Sequence, residues 1–208
     1  QDCLTKMKGE TLNDHAELLT SHLQHPQTDA VMGALSVLSQ LDAAKLKENF
    51  DRLLPLLHHS EEQVRKETFR ILKNLPAADL AGVVADKVTE LLSDADPDVR
   101  WEALDLLGKL EKEALSNYVE QIAPRLLDEG IRRDEMSRSS SVREKAQRTL
   151  GKLGAANLSK HVEVLTRCFE GLSSIGARDA VTKTLSQVGA EELKSHASTF
   201  SSARLLGH

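Results

Sequence analysis

Apolar residues recur along this chain at two spacings. Within short windows they fall at offsets 0, 4, 7, 8 and 11, which gathers them on one face of an α-helix. Five such windows stand in register: 30–41 (AVMGALSVLSQL), 64–75 (VRKETFRILKNL), 99–110 (VRWEALDLLGKL), 142–153 (VREKAQRTLGKL) and 177–188 (ARDAVTKTLSQV). In the third window the stripe is Val99, Ala103, Leu106, Leu107 and Leu110. Five residues after each window closes, at Leu46, Leu80, Leu115, Leu158 and Leu193, a second helical stretch opens. Met7 and Leu12 repeat the same step ahead of the first window. From Leu12 onward the openings lie 34, 34, 35, 43 and 35 residues apart. A fixed period of this length predicts stacked helical repeats instead of one closed core.

Each repeat therefore holds a first helix, A, and a second helix, B. The A helices are predicted over 46–58, 79–92, 113–128, 156–170 and 191–205, several ending in doublets such as Leu91-Leu92 and Leu126-Leu127. Polar loops join A to B. In Ser93-Asp94-Ala95-Asp96-Pro97-Asp98, an aspartate can cap helix B and Pro97 suits its first turn. The small residue at offset 4 (Ala34, Thr68, Ala103, Ala146) admits a neighbouring backbone, and the linkers carry Pro76, Gly154 and Gly189. The repeats run over 8–41, 42–75, 76–110, 111–153 with an inserted loop at 128–141, and 154–188, followed by a partial repeat at 189–208. The whole of 1–208 reads as a single repeat domain, all-α, of about five antiparallel helix pairs with part-repeats at both ends. Starting and stopping inside a repeat, the chain reads as a segment or processed form of something longer.

The stretch Asp94-x-Asp96-Pro97-Asp98-Val99-Arg100-Trp101-Glu102-Ala103-Leu104-x-Leu106-Leu107-Gly108-Lys109-Leu110 resembles a HEAT repeat, with weaker echoes at 61–68 (EEQVRKET) and 140–146 (SSVREKA). The resemblance extends over the whole chain and implies a right-handed, armadillo-like α-solenoid whose B helices line the inner surface. Tetratricopeptide repeats share the 34-residue period, but their Trp, Gly, Tyr and Pro positions are not met here. The arginine of the family motif recurs as Arg65, Arg100, Arg143 and Arg178, while Val31 replaces it in the first repeat. Its usual aspartate partner matches only at Asp94; His59, Ser137 and Leu172 stand in the other places.

Charge divides unevenly between the two helix types. The five B windows hold twelve Lys or Arg against five Asp or Glu, a surplus of seven positive charges in a chain of net charge −5. Two readings of the arginine row stand side by side. In one, guanidinium groups tie adjacent repeats and cap carbonyls. In the other, a basic B-helix face (Arg65, Lys66, Arg70, Arg100, Trp101, Arg143, Arg148 and Lys183) receives an acidic protein surface. Trp101, the only tryptophan, is either an interface anchor or a filler between neighbouring B helices. The overall negative charge and 3% aromatic content disfavour nucleic acid. The inserted loop, with Arg138 and serines at 137–141, offers Ser137 and Ser141 as phosphorylation candidates.

Little in the sequence suggests chemistry. His22 and His25 share an H-x-x-H spacing without further ligands, and His15, His161 and His196 fall at one equivalent repeat position. No G-x-S-x-G, P-loop or G-x-G-x-x-G occurs, and no Cys–His or Ser–His pair has support beyond chance. Cys3 and Cys168 lie in different repeats and read as free thiols, and Asn157-Leu158-Ser159 is a sequon at a helix start. No apolar run is long enough to span a membrane. The expectation is an intracellular, non-enzymatic interaction scaffold, without cofactor or metal, inside a larger complex. The resemblance leaves an enzymatic alternative open, because HEAT-like repeats also occur in bilin lyases and in a class of DNA alkylpurine glycosylases.

Overall fold

The computed structural model describes residues 20–129, 141–170, 174–189 and 193–194. Every element among them is helical. They group into two compact units, Gln1–Leu91 and Leu92–His208. The division falls inside the 76–110 repeat, between its A segment and its B helix.

In the first unit the B helices are α1 (Thr28–Leu38) and α4 (Glu62–Leu72), which pack together. The A segment between them is α2 (Ala43–Glu48), α3 (Phe50–Leu53) and a 3-10 turn, Leu54–His58. A second A segment follows as α5 (Ala77–Leu80) and α6 (Val83–Glu90). Leu35, Leu38, Phe69, Ile71 and Leu72 are fully buried and form the core. Each such side chain contributes about 1.5–3 kcal/mol relative to exposure.

The second unit holds three B helices: α7 (Pro97–Leu107), α10 (Val142–Gly151) and α13 (Ile175–Leu185). Helix α10 packs against both others. Its A segments are α8 (Lys112–Ser116) and α9 (Val119–Ile122) with a 3-10 turn at Ala123–Leu127, then α11 (Ala155–Leu158) and α12 (Val162–Glu170).

The buried stripe falls where the periodicity puts it. Val64, Thr68, Ile71, Leu72 and Leu75 are buried, as are Val142, Ala146, Thr149, Leu150 and Leu153. Four of the five B helices start two residues ahead of their window, and α10 starts on its first apolar residue, Val142; three are capped by a side chain. Asp96 Oδ1 accepts from the Asp98 N–H, Ser141 Oγ from the Glu144 N–H and Ser174 Oγ from the Ala177 N–H. Each ends before the last stripe residue; Leu41, Leu75, Leu110, Leu153 and Val188 are buried in the turn that follows.

The A helices differ from expectation. None of the four described ones is continuous. Asn49 sits at φ −107° and its side-chain amide donates to the Lys45 carbonyl at 2.8 Å, which separates α2 from α3. Gly82, at φ +78°, turns the chain between α5 and α6 in a conformation other residues rarely adopt. Pro55 and Pro124 lack the N–H that an α-helix needs, so the chain tightens to 3-10 geometry there. The A helix predicted at 191–205 and the partial repeat at 189–208 lie largely outside the described residues, as do Met7 and Leu12.

Candidate functional site

The recurring arginine leaves each B helix at the same place and meets a different environment each time. In the first unit, Arg65 Nη1 donates to the carbonyls of His59 and Ser60, at 2.7 and 2.9 Å. In the second, Arg100 Nη1 does the same with Asp94 and Ala95, at 2.7 and 3.0 Å. Arg100 also grips Asp128 bidentately, Nε to Oδ2 at 2.7 Å and Nη2 to Oδ1 at 2.9 Å. The two side chains are only 13% and 7% exposed. Arg125 joins them, 3.6 Å from Asp128 and donating to the Leu92 carbonyl at 2.8 Å. The carboxylate partner therefore comes from the start of the inserted loop. Asp94, expected as the partner, contributes its carbonyl to Arg100 instead.

Arg143 has a poorer setting. Among the described residues its nearest carboxylate, on the largely exposed Glu129, is 4.0 Å away, and its Nε is buried with no hydrogen-bond partner. Its Nη1 occupies the space where a Cβ on Gly176 would stand, so the glycine admits the guanidinium. Arg178 is exposed and forms no ion pair with the described residues.

Trp101 is half-buried, with Lys145 Nζ 4.2 Å from its ring centroid. Lys145 also pairs with Asp105, so helices α7 and α10 are tied through one ammonium group. The filler reading of Trp101 matches this geometry. Thr149 Oγ1 adds a bond to the Leu104 carbonyl at 3.2 Å, using the close approach that Ala146 and Ala103 permit.

Residues 50–137 match the sequence profile of HEAT repeats. An engineered protein solved by a structural genomics consortium is similar in fold, with a TM-score of 0.58 and 18% identity over 93% of this chain and 91% of that one. A designed armadillo repeat protein is similar at a TM-score of 0.55 and 16% identity, over 88% and 87%. Another, in complex with the peptide (KR)4, gives 0.56 and 16%, over 91% and 87%. No curated protein matches the chain significantly. This is an all-α repeat fold of the HEAT/armadillo type.

On the HEAT-type B helices, the remaining predicted contact residues are mostly paired within their own helix. Lys66 pairs with Glu62, and Arg70 holds Glu67 at 2.5 and 2.8 Å. Arg148 lies 3.6 Å from Glu144, and Lys183 lies 2.7 Å from Asp179. Most of these side chains are more than half exposed, so each pair contributes well under about 1 kcal/mol and is open to exchange with an outside charge. Helix boundaries also change the count. The five B helices as folded hold nine Lys or Arg and eight Asp or Glu. Six of the seven surplus charges of the sequence windows came from including Lys73, Lys109 and Lys152, which sit in turns, and omitting Asp29, Glu62 and Asp98. The positive charge is concentrated: α10 and α13 carry five basic residues against two acidic ones, while α7 carries one against three.

Of the phosphorylation candidates, Ser141 is the α10 cap and Ser137 lies outside the described residues. The sequence did not mark Asp128, Arg125 or Lys145, each of which finds its partner across at least one loop. Nor did it pair Ser116 with His161, whose Oγ and Nε2 are 2.8 Å apart across 45 residues. No helix among the described residues is long and apolar enough to cross a membrane.

Proposed function

We propose that the chain is a protein-interaction scaffold whose B helices receive an acidic segment of a partner protein, chiefly on α10 and α13. The observation that carries this reading is the local surplus of exposed cations there: Arg148, Arg178 and Lys183, backed by the partly buried Arg143. Arg178 has no ion-pair partner among the described residues, and the Arg148 and Lys183 pairs are weak enough to be displaced by a better-placed carboxylate. Arg65, Lys66 and Arg70 of the first unit form a smaller cationic group on the same kind of helix. Arg100 and Trp101, spent on Asp128 and Lys145, hold the fold together and are secondary in binding. The complex of a designed armadillo repeat protein with the peptide (KR)4 supports peptide recognition by this kind of fold, with the opposite sense of charge.

The test is fluorescence anisotropy of the full chain with labelled (DE)4 and (KR)4 peptides at two salt concentrations. The acidic peptide should bind, weaken steeply with salt, and lose at least about tenfold in affinity with R148E/R178E/K183E, a loss on the order of 1.4 kcal/mol. Preference for (KR)4, or equal binding by the variant, overturns the acidic-partner reading.

A further inference from the structure

In the second unit, an open cavity of about 440 Å³ lies where α8 and α9 meet α11 and the following 3-10 turn. Ser116 and His161 line it, and so do Asn117, Glu120, Asn157 and Lys160. The volume is within the range of small-molecule sites. Ser116 is the last residue of α8 and His161 closes the turn after α11, so packing of successive A segments creates the pair. A hydroxyl 2.8 Å from an imidazole nitrogen is the contact by which a base activates a nucleophile.

We propose that Ser116 and His161 are a nucleophile–base pair that hydrolyses small, activated carboxylic esters in this cavity. Ser116 Oγ attacks the ester carbonyl carbon and its proton passes to His161 Nε2. The tetrahedral adduct collapses, the alkoxide leaves, and it takes that proton as it departs as the alcohol. Water then attacks the acyl carbon and gives a proton to His161 Nε2. Ser116 Oγ leaves, recovers the proton, and the acid is released. The sum is ester plus water to acid plus alcohol. Burial holds the His161 ring below the usual imidazole range, so it is an unprotonated base at neutral pH; Glu120 opposes that effect and Lys160 adds to it. Glu113 also lines the cavity. Lys160 Nζ donates to Asn157 Oδ1 at 3.1 Å, which leaves the Asn157 amide hydrogens as donors for the oxyanion, beside Asn117. Glu120 is a positioning residue that stabilises the imidazolium as it forms.

This inference is independent of the interaction surface. The experiment incubates the full chain with a fluorophosphonate probe, maps the label by peptide mass spectrometry, and follows turnover of p-nitrophenyl acetate. A single label on Ser116 is expected, with ester turnover that S116A abolishes. H161N should slow both by about 100-fold, and S159A, on a neighbouring serine outside the cavity, should change neither. The labelling rate should rise with pH through a midpoint below about 6.5, and E120Q should move that midpoint lower. Circular dichroism of each variant separates loss of the pair from loss of fold. Labelling elsewhere, labelling indifferent to H161N, or labelling without ester turnover overturns the proposal.

Discussion

Helices α7 and α10 carry the same Val-Arg pair in their first turn after a side-chain cap, and they pack against one another in the second unit. Arg100 nevertheless ends in a bidentate carboxylate pair with four hydrogen bonds, while Arg143 reaches a carboxylate of the described residues only at 4.0 Å and keeps a buried Nε unsatisfied. The repeat fixes where the guanidinium leaves the helix. The partner is supplied by a loop, and loops do not follow the period. One register position can thus be a structural clamp in one repeat and a weakly held cation in the next.

The comparison breaks most sharply at Asp128. Replacing it with Ala strands Arg100 in a mostly buried site, and an uncompensated buried charge costs about 3 kcal/mol. Arg143→Ala should cost less than about 1 kcal/mol, since its ion pair among the described residues is long and half solvated. Urea denaturation of both variants tests this; equal losses would remove the distinction between clamp and free cation.

A smaller effect is expected at the seam between the same two helices. Lys145→Ala removes the ammonium over Trp101 and should cost about 0.5–1 kcal/mol. Trp101 is the only tryptophan, so its emission reports the change directly. An unshifted spectrum would mean that Lys145 does not cover the ring in solution.

The smallest effect separates the A-segment cavity from the rest of the unit. Desolvation lowers the His161 pKa in the folded chain, so the unfolded chain takes up the proton first. Stability from this group is present above about pH 6.5 and falls as pH drops toward the folded value. An NMR titration of the histidines should find His161 below that reference; a midpoint above it would contradict the desolvation of its half-buried ring.

How much of this was legible in the chain varies by element. Five B helices and their buried stripes follow from spacing, because burial on one face imposes a period of 3.6 residues. Helix ends did not follow, since periodicity marks the buried stripe and not the first capped N–H. That error of two or three residues was enough to turn a nearly balanced set of helices into a basic one. The breaks in the A segments had visible signals in Asn49, Gly82, Pro55 and Pro124, but an apolar pattern averages over them.

The sequence by itself determined that this protein is a row of helix pairs and which side chains are inside, because local spacing and the exclusion of apolar surface from water act on neighbours along the chain. Only the tertiary structure decided which polar groups meet: Arg100 with Asp128 across 28 residues, Lys145 with Asp105 across 40 and Ser116 with His161 across 45. Polar partners are selected by distances of about 3 Å. Those distances depend on how loops of unequal length bring successive repeats together, which no periodicity encodes.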